Sequence, residues 1–81
     1  MDNKEVTVKA VKEAIDFIDN MWGDWEGDLH MLMANVISDD RVTTHDVRHL
    51  LRALSEGEPI EGLENLYAQK QGSNYKVKVK R

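Results

Sequence analysis

Apolar residues recur along most of this chain at spacings of three and four, and near its end at spacings of two. Val8, Val11, Ile15, Ile18 and Trp22 form the first stripe, and Ala10, Ala14, Phe17 and Met21 widen it into a broad apolar face. That periodicity predicts a helix over 7–22, capped by Thr7 and stopped by Gly23. Its other side holds Lys9, Lys12, Glu13 and Asp16, paired at i,i+4 in the less favourable Lys-first order. The preceding "KEVTV" alternates instead, which predicts a short strand over 4–8.

"GDWEGD" reads as a loop, and Asp28 at its end is a helix cap. Leu29, Leu32, Met33 and Val36, with Ile37 beside them, then give one face of a second helix over 29–38. The start of a third helix, over 44–56, carries several independent signals. Thr43 as N-cap puts Asp46 at N3, a capping box with a shorter acid than the usual Glu, and Val42 against Val47 is a hydrophobic staple. Val47, Leu50, Leu51 and Leu54 follow as the buried face. Gly57 sits where a left-handed residue ends a helix, with Pro59 just beyond.

Pro59 also suits the first turn of a fourth helix, over 59–70, with Ile60, Leu63, Leu66 and Tyr67 inward and Gly62 as its weak point. "QGSN" is a turn. "YKVKVKR" alternates strictly, and predicts a strand over 75–80 with Tyr75, Val77 and Val79 on one side and lysines on the other. A lone strand is unstable, so this one is expected to pair with 4–8; the alternative is a basic tail that orders only on a partner. The predicted fold is therefore mainly α: one domain over 1–81, a bundle of about four short helices, with 71–81 a basic strand or tail.

Composition narrows the function classes. Eighty-one residues make one small core, burying only about 60% of the unfolded surface. The absence of cysteine excludes a disulfide framework and any thiolate metal site. "MDNKEVTVK" has no apolar signal region and no run approaches a membrane span, so a cytoplasmic location with no membrane partner is expected. Charge is uneven. Residues 1–69 carry −9 and residues 70–81 carry +5, giving the net −4. The acidic body disfavours sequence-independent contact with nucleic acid, whose affinity comes from Lys and Arg on phosphates, while the basic end acts the other way.

Candidate chemistry is sparse. Asn35 to Asp46 resembles a calcium loop only in its second half, since position six is Asp40 rather than Gly and position three is Ile37. "HDVRH" places His45 and His49 on one helical face, one methylene short of the zinc-protease pattern, but His30 is the only other histidine and Asp46 is committed to the cap. No serine has a base beside it, no glycine-rich phosphate loop exists, and no carboxylate pair stands out. The expectation is a protein that is not an enzyme and needs no cofactor or metal.

Two surfaces remain. His45, Arg48, His49 and Arg52 fall at i, i+3, i+4 and i+7, a basic stripe opposite the leucines, read either as a solvated face or as a contact for phosphate or an acidic partner. Trp25, in an acidic loop, is either a lid on the core or an exposed anchor of the kind enriched in binding hot spots. The first functional expectation is a non-catalytic protein–protein interaction module, an acidic adaptor or inhibitor, with homodimerisation open to it. The alternative is a winged-helix-like DNA-binding domain using the His45, Arg48, His49, Arg52 stripe and Lys76, Lys78 and Lys80. Its three helices would be "LHMLMANVIS", "TTHDVRHLLRAL" and "PIEGLENLYAQK", and the last starts with glutamates where base-reading residues belong.

Overall fold

The computed structural model describes residues 3–36 and 41–80. Among them run helix α1 (Asn3–Trp22), strand β1 (Trp25–Asp28), helix α2 (Leu29–Ala34), helix α3 (Thr44–Ser55) and strands β2 (Leu66–Gln71) and β3 (Asn74–Val79). The strands form one antiparallel sheet in the order β1-β3-β2. This is an α+β fold, which corrects the predicted four-helix bundle with a single strand.

The sheet has one wet and one dry face. Tyr75, Val77 and Val79 of β3 are buried against the helices, while Lys76, Lys78 and Lys80 point the other way. Val11, Ile15 and Ile18 of α1, Leu29 and Leu32 of α2, and Val47 and Leu51 of α3 complete the core without measurable exposure.

Several expectations fail for tertiary reasons. The segment 4–8 is not a strand but the first turns of α1, and Thr7 is a buried helical residue rather than a cap. Extending a formed helix gains a hydrogen bond per residue, whereas both edges of β3 are already taken by β1 and β2. "WEGD", assigned to a loop, is β1, paired from Trp25↔Val79 to Asp28↔Lys76.

The fourth helix does not exist. Gly62 has φ +93°, outside the helical region, and 59–65 is a run of turns with Leu63 N–H donating to the Ile60 carbonyl and Leu66 N–H to that of Leu63. Leu66–Gln71 is extended and pairs along β3, joined by a two-residue turn with Gly72 at φ +61°. Leu63 and Leu66 are buried in either description, so their spacing could not discriminate; Tyr67, expected inward, is 53% exposed on the outer face.

The wide apolar face of α1 is also narrower than expected. Met21 and Trp22 are 61% and 68% exposed because the last turn of α1 runs past the end of the core, and Phe17, 53% exposed, lies at the flank of the buried stripe.

The local signals at helix ends hold. Asp28 caps α2, its carboxylate accepting the Met31 N–H at 2.8 Å. Helix α2 ends at Ala34; the rest of the predicted 29–38 helix includes 37–38, which lie outside the described residues. Gly57 follows α3 at φ +87°, as its position implied.

Candidate nucleic-acid interface

Helix α3 sets the site, and its first turn is fixed by the capping box. Thr43 N–H donates to Asp46 Oδ2 at 3.1 Å, and the Asp46 N–H donates to Thr43 Oγ1 at 3.2 Å. With that start and a face of Val47, Leu50 and Leu51 held in the core, the helical period leaves His45, Arg48, His49 and Arg52 no direction but outward, and all four are exposed.

The tertiary structure adds what the stripe lacked, a second wall. The β2–β3 hairpin stands beside α3, and the two enclose an open cleft of 480 Å³ lined by His45, Arg48, His49 and Arg52 from the helix and by Lys70, Gly72, Ser73 and Tyr75 from the hairpin. Three permanent cations and two imidazoles thus line one concave surface, with no carboxylate among its described lining residues. In a chain of net charge −4 this is a local reversal of sign. Concave placement focuses the field of such charges.

Within the cleft the rings of His45 and His49 meet edge to face at 86°, their Nε2 atoms 3.0 Å apart. In the neutral pair one Nε2–H donates to the other Nε2. Arg52 leans back on Glu56, Nε to Oε1 3.3 Å, with both side chains about two-thirds exposed, so the pair is easily exchanged for another anion. Asp46 sits at the rim of a neighbouring 340 Å³ groove with His49 and Lys4. Its carboxyl is held below the usual carboxylate range by the backbone N–H of Thr43 first, then by the Thr43 hydroxyl, with the fields of His45 and His49 adding.

Not every residue singled out in the sequence joins this site. Lys76, Lys78 and Lys80 lie on the outer face of the sheet with Tyr67 and Gln69, a separate surface. There Lys76 Nζ pairs with Glu26 Oε1 at 2.6 Å, and Lys80 lies 6.0 Å from the Tyr67 ring centroid. Lys76 is the main cause of the lowered Glu26 pKa, with Lys78 and Lys80 adding. Trp25 is half-buried and packs against the core, the lid of the two alternatives, its indole lying across Gly27. Conversely, Lys70 and the Gly72–Ser73 turn were missed as site residues. The signal was present, a lysine two residues before a tight turn, but it has meaning only once 66–71 is a strand.

No group of three or more metal-ligating side chains occurs among the described residues, and His30 is exposed on α2. A third of the calcium-like segment, 37–40, lies outside the described residues; Asp46, its last position, is engaged by Thr43. No described helix is long and apolar enough to cross a membrane. Comparisons with protein-family models, with curated proteins and with solved structures find no match.

Proposed function

We propose that this chain is a small DNA-binding domain that lays α3 in the major groove and rests the β2–β3 hairpin on the adjacent backbone. The observation that carries the reading is the shared basic cleft of α3 and the hairpin. The order of helix α2, helix α3 and a flanking β-hairpin is that of a winged helix, and this likeness of arrangement supports the reading. The element order expected for that layout from sequence was misplaced by one helix. The helix that precedes the hairpin is α3, with His45, Arg48 and His49 in its first half, so the objection drawn from the acidic 58–64 segment no longer applies.

The roles divide by chemistry. Arg48, in the first half of α3, has the length and the planar fork to take guanine O6 and N7 together. His45 is one turn earlier and reaches the same groove. Lys70, Arg52 and the Ser73 hydroxyl suit phosphate, which positions the domain without reading sequence.

The test is anisotropy of a labelled mixed-sequence 20-base-pair duplex as salt is varied. With Arg52 and Lys70 as the phosphate contacts, log K should fall with log salt at a slope of about −1.8, roughly twelve-fold between 50 and 200 mM. Absence of saturable binding at 50 mM salt sinks the reading.

A second reading, the acidic protein-binding adaptor or inhibitor, draws support from the exposed Phe17, Met21, Trp22 and Met31. It predicts salt-tolerant association with one protein, damaged by Arg48→Glu or Arg52→Glu with the fold intact.

A further inference from the structure

His45 and His49 bring two good metal ligands together in the open. Their Nε2 atoms are 3.0 Å apart, closer than the ring centroids at 4.4 Å. Both side chains are exposed and line the open cleft, so an ion reaches them directly from solvent. The backbone beneath them is set in advance. Positions four apart on an α-helix stand about 5–6 Å apart at Cβ, and the capping box at Thr43 and Asp46 holds the turn that carries His45 in regular helix.

We propose that His45 and His49 chelate one divalent transition-metal ion through their Nε2 atoms, with copper(II) the ion that fits best. With metal–nitrogen bonds of about 2.05 Å, nitrogens 3.0 Å apart subtend about 94° at the ion. That is close to the right angle of a tetragonal copper(II) site. Tetrahedral zinc instead requires the nitrogens about 3.35 Å apart. The intrinsic preference of nitrogen ligands also favours copper over zinc. Histidine χ2 is a broad torsion, so small ring rotations turn both lone pairs onto one ion while the helix stays as it is. In the neutral pair one Nε2–H donates to the other Nε2. On chelation that ring carries its proton on Nδ1 instead, so a hydrogen bond is given up and no proton leaves the pair.

The two imidazoles are the whole protein contribution. No group of three or more metal-ligating side chains occurs among the described residues, and Asp46 is engaged by Thr43. The remaining positions of the ion fall to water or to an anionic oxygen, the arrangement of an open site and not of a fold-forming one. Arg48, Arg52 and Lys70 share the cleft. They lower its affinity for a bare cation and favour an anion as the further ligand. Only α3 supplies ligands, so this inference and the DNA reading stand or fall separately.

The test is titration of the whole chain with copper(II) chloride in a weakly coordinating buffer, followed by electron paramagnetic resonance and sedimentation equilibrium. One copper per chain is expected, with nitrogen hyperfine splitting from two imidazoles and no change of mass. Affinity should fall at least about ten-fold in His45→Gln and in His49→Gln, because losing a ligand costs no less than losing a group that supports one. His30→Gln, at the one other histidine, should change nothing. Zinc should bind more weakly than copper. Both histidines are exposed on α3, so each Gln variant should keep the native far-UV CD spectrum. Four outcomes overturn the proposal. They are no saturable binding at about 100 µM copper(II), affinity retained in either Gln variant, zinc bound as tightly as copper, and half a copper per chain with a doubled mass, which places the ion between two copies.

Discussion

Thr43 and Asp46 satisfy each other twice at the start of α3: the backbone N–H of each donates to the side chain of the other, at 3.1 and 3.2 Å. Because α3 carries both the core leucines and the basic stripe, this local pair sets the direction of His45 and Arg48. Thr43→Ala should lower stability by about 1 kcal/mol, seen as a lower urea midpoint at unchanged slope. Retention of the full midpoint would mean the cap contributes nothing to α3.

The same pair gives α3 a sensitivity to acid. The Asp46 carboxyl is held below its ordinary range by Thr43, so the folded chain binds that proton less readily than the unfolded one. Its stabilising contribution is complete above about pH 4 and is lost as pH falls through the lowered value. Melting temperature should therefore decline more steeply below about pH 4 in the native chain than in Asp46→Asn. Parallel declines would contradict the assignment. Glu26, lowered chiefly by Lys76, has the same sign and provides a second probe on the sheet.

Leu51 is fully buried where α3 meets the sheet, whereas Leu54, three residues on, is only half-buried. Leu51→Ala should cost about 2–5 kcal/mol, against roughly 4–12 kcal/mol of total stability for a chain of this length. Leu54→Ala should cost clearly less. Equal losses in denaturation would place the face of α3 wrongly.

Gly27 is a glycine for want of space. A Cβ there would lie 2.5 Å from the Trp25 indole and 3.2 Å from Met31 sulfur. Gly27→Ala should destabilise β1 by displacing the indole from the core, with loss of near-UV CD intensity. In Trp25→Leu the added methyl meets no ring, so the two substitutions together should cost less than their sum. Strict additivity would show that the ring is not what excludes a side chain.

For the cleft, position on the fold separates Lys70 from Lys76, Lys78 and Lys80, side chains of the same chemistry. Lys70→Ala or Arg52→Ala should each make the slope of log K against log salt shallower by about 1. Replacing Lys76, Lys78 and Lys80 together should leave that slope nearly unchanged, because they occupy the far side of the sheet. If the outer lysines carry the salt dependence, duplex binding belongs to that face and the role given to α3 is wrong.

The legible parts of the molecule were those whose causes lie within a few residues. The box at Thr43, the cap at Asp28, the left-handed Gly57 and the Val47–Leu51 face are all decided by neighbours three or four positions away, and a sequence displays such neighbours directly. The stripe of His45, Arg48, His49 and Arg52 was readable for the same reason. Strand β1 was not, since "WEGD" has no strand pattern of its own and becomes one only by pairing with β3 some fifty residues later. Residues 66–71 were misread because Leu63 and Leu66 satisfy a helical spacing and a turn-then-strand path equally well. Trp22 was placed inside because a periodic stripe does not announce where the core beneath it stops.

The sequence by itself determined the helices of α1, α2 and α3, the outward direction of the basic stripe and the alternation of β3, since hydrogen-bonding period and capping chemistry are properties of short segments. Only the tertiary structure decided that β3 lies between β1 and β2, that Lys70 rather than Lys76, Lys78 or Lys80 completes the cleft, and that Trp22 overhangs the core. Those outcomes depend on which distant segments compete for the same edge and the same buried volume.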